Sequence, residues 1–406
     1  MPAVTHPVPT ILFGAFDRHN FGDLLFPHIA AALLAESNPV FAGLAERDLR
    51  TCGGHRVEAL AHLTARWRDQ PVNIVHVGGE LLTCSAWEAA VMTLPPDEAR
   101  DIMARFDAHS REALEWAQSR IGLPTLAPYT VQRSLFPQAR SVIYNAVGGV
   151  DLDRYDAAFR AEVLANLRTA DAVGVRDKTT RAQLHAAGIP TRLMPDPAVM
   201  VEELFGDAIR GRVRGGEPAE VLNVFPQGYL AVQFSADFGD DAMLEEMDGQ
   251  LNALMRTTGY GIVFFCAGVA PWHDDPVCYQ RLAARMQNLP VRLFRSLDAW
   301  DICALISASR GYVGSSLHGR IVAMAFGLPR VNLVHDVQHS KQASYASTWE
   351  DTGTPIAVQV RDIAQGMQEA LATDMQSRMR KAAELASRYR QEFLALCERR
   401  FSFGNA

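Results

Sequence analysis

Short, nearly continuous apolar runs alternate with amphipathic stretches along the whole chain, and no other feature of the sequence restricts its fold as strongly. In the second half the runs are "YLAVQFS" (229–235), "GIVFFCAG" (261–268), "VRLFR" (291–295), "GYVGSS" (311–316), "RVNLV" (330–334) and "PIAV" (355–358). Helical patterns fill the gaps at 240–256, 277–287, 298–309, 318–327 and 361–372. A strand that is apolar on both faces needs cover on both sides, so strands of this kind separated by helices imply a parallel, doubly wound sheet. The first half repeats the pattern in "TILFGAF" (10–16), "PVFAGL" (39–44), "NIVHVGG" (73–79), "SVIYNAVGGV" (141–150), "DAVGVRD" (171–177) and "TRLMPDPA" (191–198), with a mostly helical insertion at about 85–135.

The segment "GDAIRGRVRGGEPAE" (206–220) is rich in glycine and charge and reads as a linker. It divides the chain into a Rossmann-like domain at 1–210 and a second at 221–374. Apolar residues at Met375, Met379, Ala382, Ala386, Tyr389, Phe393 and Cys397 then predict a long C-terminal helix over 375–400, packing back on the body. The expected fold class is α/β: two Rossmann-like doubly wound domains facing a cleft, the GT-B-like architecture. Ligands of such sheets lie beyond the carboxyl ends of the strands.

With 406 residues, 48% of them apolar and 21% charged, the chain has enough material for a large core. A formal net charge of −7 argues against a general nucleic-acid or acidic-membrane binder. The six cysteines form no C-x-x-C pair, which suits reduced thiols in a cytoplasmic protein. No charged segment followed by an apolar one opens the chain, and no run reaches the ~20 apolar residues of a membrane-spanning helix.

Four strand ends carry polar or glycine-rich residues beyond the needs of a turn. "GAFDRHNFGD" (14–23) presents Arg18, Asn20, Gly22 and Asp23; glycine permits close backbone approach, and Asn20 or Asp23 can cap the following helix. "VHVGGELL" (75–82) has Gly78 and Gly79 after a buried strand. "GVRDKTT" (174–180) places Arg176, Asp177 and Lys178 where a strand meets a helix, a setting that holds an anion. "GYVGSSLHGRIVAMAFGLPRV" (311–331) brings Gly314, Ser315, Ser316, His318 and Arg320 to the mouth of a small-residue helix. The acidic pair Asp274–Asp275 in "PWHDDP" reads as a helix cap.

Three of these segments, in the same order, resemble the polysaccharide pyruvyltransferases: the Asn-x-Gly-Asp loop "GAFDRHNFGD", the Val-Arg-Asp stretch followed by "PDPA" (195–198), and "SSLHGRIVAMAFGLP". The resemblance spans roughly residues 10–340. It implies a GT-B-like fold and transfer of a pyruvyl unit from phosphoenolpyruvate to a sugar of a polysaccharide or glycan precursor, closing a ketal. It also implies that His318 is the catalytic histidine. Some members carry arginine where this chain has Ser316, and that arginine is implicated in holding the donor; here Arg320 stands four residues on.

The chemistry of such a donor asks for two cationic or amide-rich anchors and an acid titrating near neutrality. His318 fits the acid and Asp23 or Asp177 an acceptor base. Arg176, Lys178, Arg320 and Arg18 fit the anchors, and Ser315 and Ser316 the donor oxygens. The reaction requires no cofactor and no metal; the expected partners are phosphoenolpyruvate and a sugar acceptor on a glycan or lipid-linked precursor. Two other functions fit the same pattern, a nucleotide-sugar-dependent glycosyltransferase and a non-catalytic glycan-binding paralogue.

Overall fold

The computed structural model describes residues 8–34, 38–336, 340–350 and 357–398. Its first sheet has eight strands: β1 (Thr10–Phe13), β2 (Val40–Gly43), β3 (Arg47–Asp48), β4 (Arg56–Ala59), β5 (Val72–His76), β6 (Ala139–Val147), β7 (Ala172–Val175) and β8 (Arg192–Leu193). They lie in the order β3-β4-β2-β1-β5-β6-β7-β8, and every pairing is parallel except β3 with β4. The second sheet has five strands, β9 (Tyr229–Gln233), β10 (Gly261–Phe264), β11 (Val291–Leu293), β12 (Gly311–Gly314) and β13 (Arg330–Asn332), all parallel in the order β11-β10-β9-β12-β13.

Each sheet has one place where the winding direction reverses. In the first it lies between β1 and β5, and in the second between β9 and β12. Strand-end loops diverge at such a point and leave a crevice. The loops that leave those four strands are the ones carrying Arg18 to Asp23, Gly78 to Glu80, Gln233 to Ser235, and Ser315 with Ser316.

The helices in the second half match the expected intervals closely, at Asp241–Thr258, Pro276–Arg285, Ala299–Ser307, Leu317–Ala325 and Ile363–Ala372. The insertion after β5 is helical at Ala86–Met92, Pro96–Arg105 and Arg111–Ile121. Segment 206–220 is not an extended linker. It is taken up by two helices, Val201–Arg212 and Gly216–Val224, because their charges sit on outer faces, as in the Arg210 pairs with Glu202 and Asp207, while Ile209 and Val221 are fully buried. The expected strand "PIAV" lies partly outside the described residues; Val358 forms an isolated parallel bridge with Leu333.

The C-terminal helix runs Met375–Glu398. Met375 and Met379 are exposed, a departure from the expected apolar stripe, while Leu385 and Leu396 join Ala382, Ala386, Tyr389, Phe393 and Cys397 in burial. That face belongs to a core cluster reaching from Leu12 and Ile143 in the first sheet to Tyr229 and Val263 in the second. All nine residues of the Leu317–Ala325 helix are buried in the same region. Among the described residues no helix is long and apolar enough to cross a membrane.

Candidate active site

A cavity of about 500 Å³ opens between the two sheets, walled by Arg18, Asn20, Asp23, Glu80 and Arg176 from the first half and Gln233, His273, Asp274, Ser315, Ser316, His318 and Lys341 from the second. His318 occupies the second position of the Leu317–Ala325 helix, whose N-cap is Ser316; the Ser316 Oγ accepts from the Gly319 N–H at 3.2 Å. The imidazole packs edge-on against Phe26, ring centroids 5.0 Å apart. Gly22 lies against its other side, where a β-carbon would fall 2.1 Å from the ring. The Asn-Phe-Gly-Asp loop therefore has a steric reason for its glycine.

From His318 runs a line of charge, buried at Asp196 and Arg176 and reaching the cavity again at Glu80. Its Nε2 stands 3.7 Å from an oxygen of Asp196, that carboxylate accepts from Arg176 at 3.0 Å, and Arg176 reaches Glu80 at 2.5 Å. Burial works to raise the pKa of Asp196, but the adjacent His318 ring and the Arg176 guanidinium outweigh it and hold the carboxyl below its usual range. Burial likewise opposes the charge on Arg176, and Glu80 and Asp196 more than restore it. Gly148 belongs to the same construction, since a β-carbon there would meet Glu80 at 2.4 Å and Arg176 at 2.7 Å.

Arg176 thus faces the cavity already matched by two carboxylates, and two other expected anchors lie elsewhere. Arg320 is completely buried behind the cavity, gripped by Glu350 at 2.7 and 2.8 Å, and Arg330 shares that carboxylate at 2.6 Å. Lys178 is exposed on the outer surface, and its backbone N–H donates to Thr348. The cations that do line the cavity are Arg18 and Lys341, besides Arg176. Arg18 donates to the Tyr129 hydroxyl and lies 3.8 Å from Asp17, while its buried Nε has no hydrogen-bond partner among the described residues. Lys341 opens the Lys341–Trp349 helix, capped by Ser340.

Asn20 caps the Phe21–Leu33 helix through the Gly22 N–H and reaches His273 Nε2 at 3.2 Å. Burial pushes the His273 pKa down to about 4, so its ring is neutral at ordinary pH. Its Nδ1 lies 3.0 Å from the Pro271 carbonyl and must carry the proton, which leaves Nε2 to accept from Asn20. Asp23 faces the cavity with Gly79 at its back. Gly78 and Gly79, at φ 116° and 96°, form the turn behind it and not the cavity wall.

Ser315 and Ser316 line the cavity with hydroxyls already engaged, Ser315 by the Ser235 N–H and Ser316 as the cap. Gly314 lies deeper, where a side chain would strike the Tyr312 hydroxyl. Asp177 caps the Lys178–Ala186 helix through Thr180.

Residues not singled out from the sequence complete the site. Gln233, at the end of β9, accepts from the Ser316 N–H at 2.7 Å and donates to Asp274 at 2.7 Å, tying the two strand ends together. Asp275 is the helix cap, but Asp274 is a buried carboxyl of the cavity lining whose pKa burial raises to about 7. Asp196 stands inside "PDPA", and a polar residue ending an apolar strand was the available signal for Gln233. Glu80 and Lys341 carry no comparable local mark.

The architecture is shared with solved structures of very different sequence. A Listeria monocytogenes protein described as a UDP-N-acetylglucosamine 2-epimerase matches with a TM-score of 0.57 at 11% identity, covering 99% of this chain and 98% of its own. The Rickettsia bellii UDP-N-acetylglucosamine 2-epimerase gives 0.54 at 12%, covering 98% of each chain. The Burkholderia multivorans trehalose 6-phosphate synthase gives 0.51 at 13%, covering 96% of this chain and 94% of its own. These likenesses establish the GT-B-like fold. A search of curated proteins finds no match. The family model for polysaccharide pyruvyl transferase matches residues 135–337, half of the chain, a span that holds Arg176, Asp196, Gln233, Asp274 and His318. By that match, and with the segment around His318 folded into the cavity wall, the chain belongs to the polysaccharide pyruvyl transferase family and is a transferase.

Proposed function

We propose that this protein moves the pyruvyl unit of phosphoenolpyruvate onto two hydroxyls of a sugar in a polysaccharide or glycan precursor, with His318 as the acid. The observation that carries the reading is the line Glu80–Arg176–Asp196–His318, which ends on an imidazole at the wall of the cavity. An ionised carboxylate 3.7 Å behind the ring offers its protonated form an electrostatic partner, an attraction that favours the ring's orientation.

The proton goes from His318 to the methylene carbon of the enol, which makes C2 electrophilic. A sugar hydroxyl attacks C2 and gives its proton to Asp23, a carboxylate of the cavity lining. Phosphate then leaves, taking the proton held on Asp23, and the second hydroxyl closes the ketal at C2 and returns its own proton to His318. Arg18 and Lys341, with the first-turn N–H groups of the Leu317–Ala325 helix, make the anion-binding face; Ser315 and Ser316 keep the helix start in place. Arg176 acts through Asp196 as a positioning residue. The domain at 1–210 provides the acceptor side. Because phosphoenolpyruvate is a metabolite of the cell interior, the reaction belongs in the cytoplasm.

Calorimetric titration with phosphoenolpyruvate, beside a nucleoside diphosphate sugar, tests the reading. Saturable binding of phosphoenolpyruvate is expected to survive His318→Gln and to weaken in Lys341→Ala. Binding of the nucleotide sugar alone would replace pyruvyl transfer with glycosyl transfer.

A further inference from the structure

A second and larger cavity, about 1090 Å³, lies beside the first, between the helical insertion after β5 and the loop after β10. Three residues line both cavities, Glu88, Met92 and Trp272, so the two adjoin there. Trp272 is the unusual member. Its indole is half exposed, and its backbone sits at φ 63°, the left-handed region that a bulky side chain rarely adopts. A turn with only a structural task would place glycine or asparagine there. Strain kept at the junction of two cavities points to a use for the side chain.

We infer that the larger cavity is a subsite for the part of the acceptor glycan beyond the sugar being modified, with Trp272 as the platform on which a pyranose ring stacks. The inference rests on the pyruvyl-transfer reading for its direction: the small cavity takes the reacting sugar and donor, and the larger one the rest of the chain. The axial C–H face of a pyranose is apolar and covers an aromatic face well, while the hydroxyls project from the ring edge. The lining offers both kinds of surface. Leu114 and Phe159 supply apolar wall, and Arg111 and Arg154 stand on the rim with exposed guanidinium groups. At about 1090 Å³ the cavity reaches the upper limit of the ~300–1,000 Å³ that encloses a drug-sized ligand, room for more than one sugar ring.

The test is an array of immobilised mono- to hexasaccharides built from common hexoses and N-acetylhexosamines. The intact protein should retain oligosaccharides at least about tenfold better than their constituent monosaccharides. Trp272→Phe should keep that preference and Trp272→Gly should lose it, although glycine suits φ 63° and the thermal midpoint of Trp272→Gly should stand at or above that of the parent. Arg111→Ala, whose side chain is too exposed to matter to the fold, should weaken retention severalfold. Failure of the parent to retain any oligosaccharide, or retention unchanged in Trp272→Gly and Arg111→Ala, overturns the subsite. Retention as expected in a protein that does not bind phosphoenolpyruvate would instead overturn the pyruvyl reading and leave the subsite standing.

Discussion

Gly22 and His318 form one unit, since the ring fills the space where any other side chain at position 22 would begin. In Gly22→Ala the imidazole must move by more than its rotamer allows. Overpacking of this kind costs about 1–3 kcal/mol of stability, and the displaced ring should take turnover down with it. His318→Gln is expected to lower kcat by about 10²–10⁴, the span of a general acid, whereas Asp196→Asn, which touches no substrate, should lower kcat on the order of a hundredfold through misorientation and leave the KM for phosphoenolpyruvate nearly unchanged. Steady-state kinetics on purified variants separates the two. If Asp196→Asn raises KM and spares kcat, the carboxylate belongs to donor binding and not to the histidine.

At the scale of elements, the Leu317–Ala325 helix is held in place by charge as well as by its small residues. Arg320 and Arg330 share Glu350, and all three are buried. Burial raises the Glu350 pKa, but the two guanidinium groups outweigh it and the carboxyl titrates below its ordinary 4.5. A depressed folded-state pKa means that Glu350 adds stability above about pH 4.5 and that this contribution disappears as pH falls through the folded value. Glu350→Gln takes the shared carboxylate away from two buried guanidinium groups and should cost about 3–5 kcal/mol at pH 7 by urea unfolding. Its deficit should shrink as the pH is lowered below 4.5, and an undiminished deficit would show that the interaction is not ionic.

That anchor also marks where the sequence stops being readable. The alternation of strands and helices follows from local pattern, and the loops flanking His318 and Asp23 were visible because polar residues interrupt apolar runs at strand ends. Arg320 looked like a cleft cation because the helix alone does not reveal that Glu350, thirty residues later, lies against it. Lys178 points outward for a reason equally remote, the docking of the Lys341–Trp349 helix on the start of its own, through Thr348 and Ser344. Glycine and charge in 206–220 described the outer face of two helices and hid their buried one.

Across the whole molecule the two sheets are joined by more than the crossing of the chain. Tyr389, on the C-terminal helix, accepts from Asn145 of β6 at 2.9 Å; the Trp349 indole donates to the Arg176 carbonyl at 2.7 Å; and a single core cluster contains residues of both sheets. Elements that share buried surface in this way unfold together, because neither sheet keeps its cover once the other is lost. Thermal unfolding should therefore be one transition, not two. Phe393→Ala, which empties a fully buried ring from the C-terminal helix, should cost about 3–5 kcal/mol. In hydrogen exchange the loss of protection should appear equally in β6 and in the Leu317–Ala325 helix, which lie in different halves of the sequence. Loss confined to one of them, or a second calorimetric peak, would mean that the cavity walls fold independently. In that case the alignment of Asp23 with His318 would depend on ligand instead of being built into the fold.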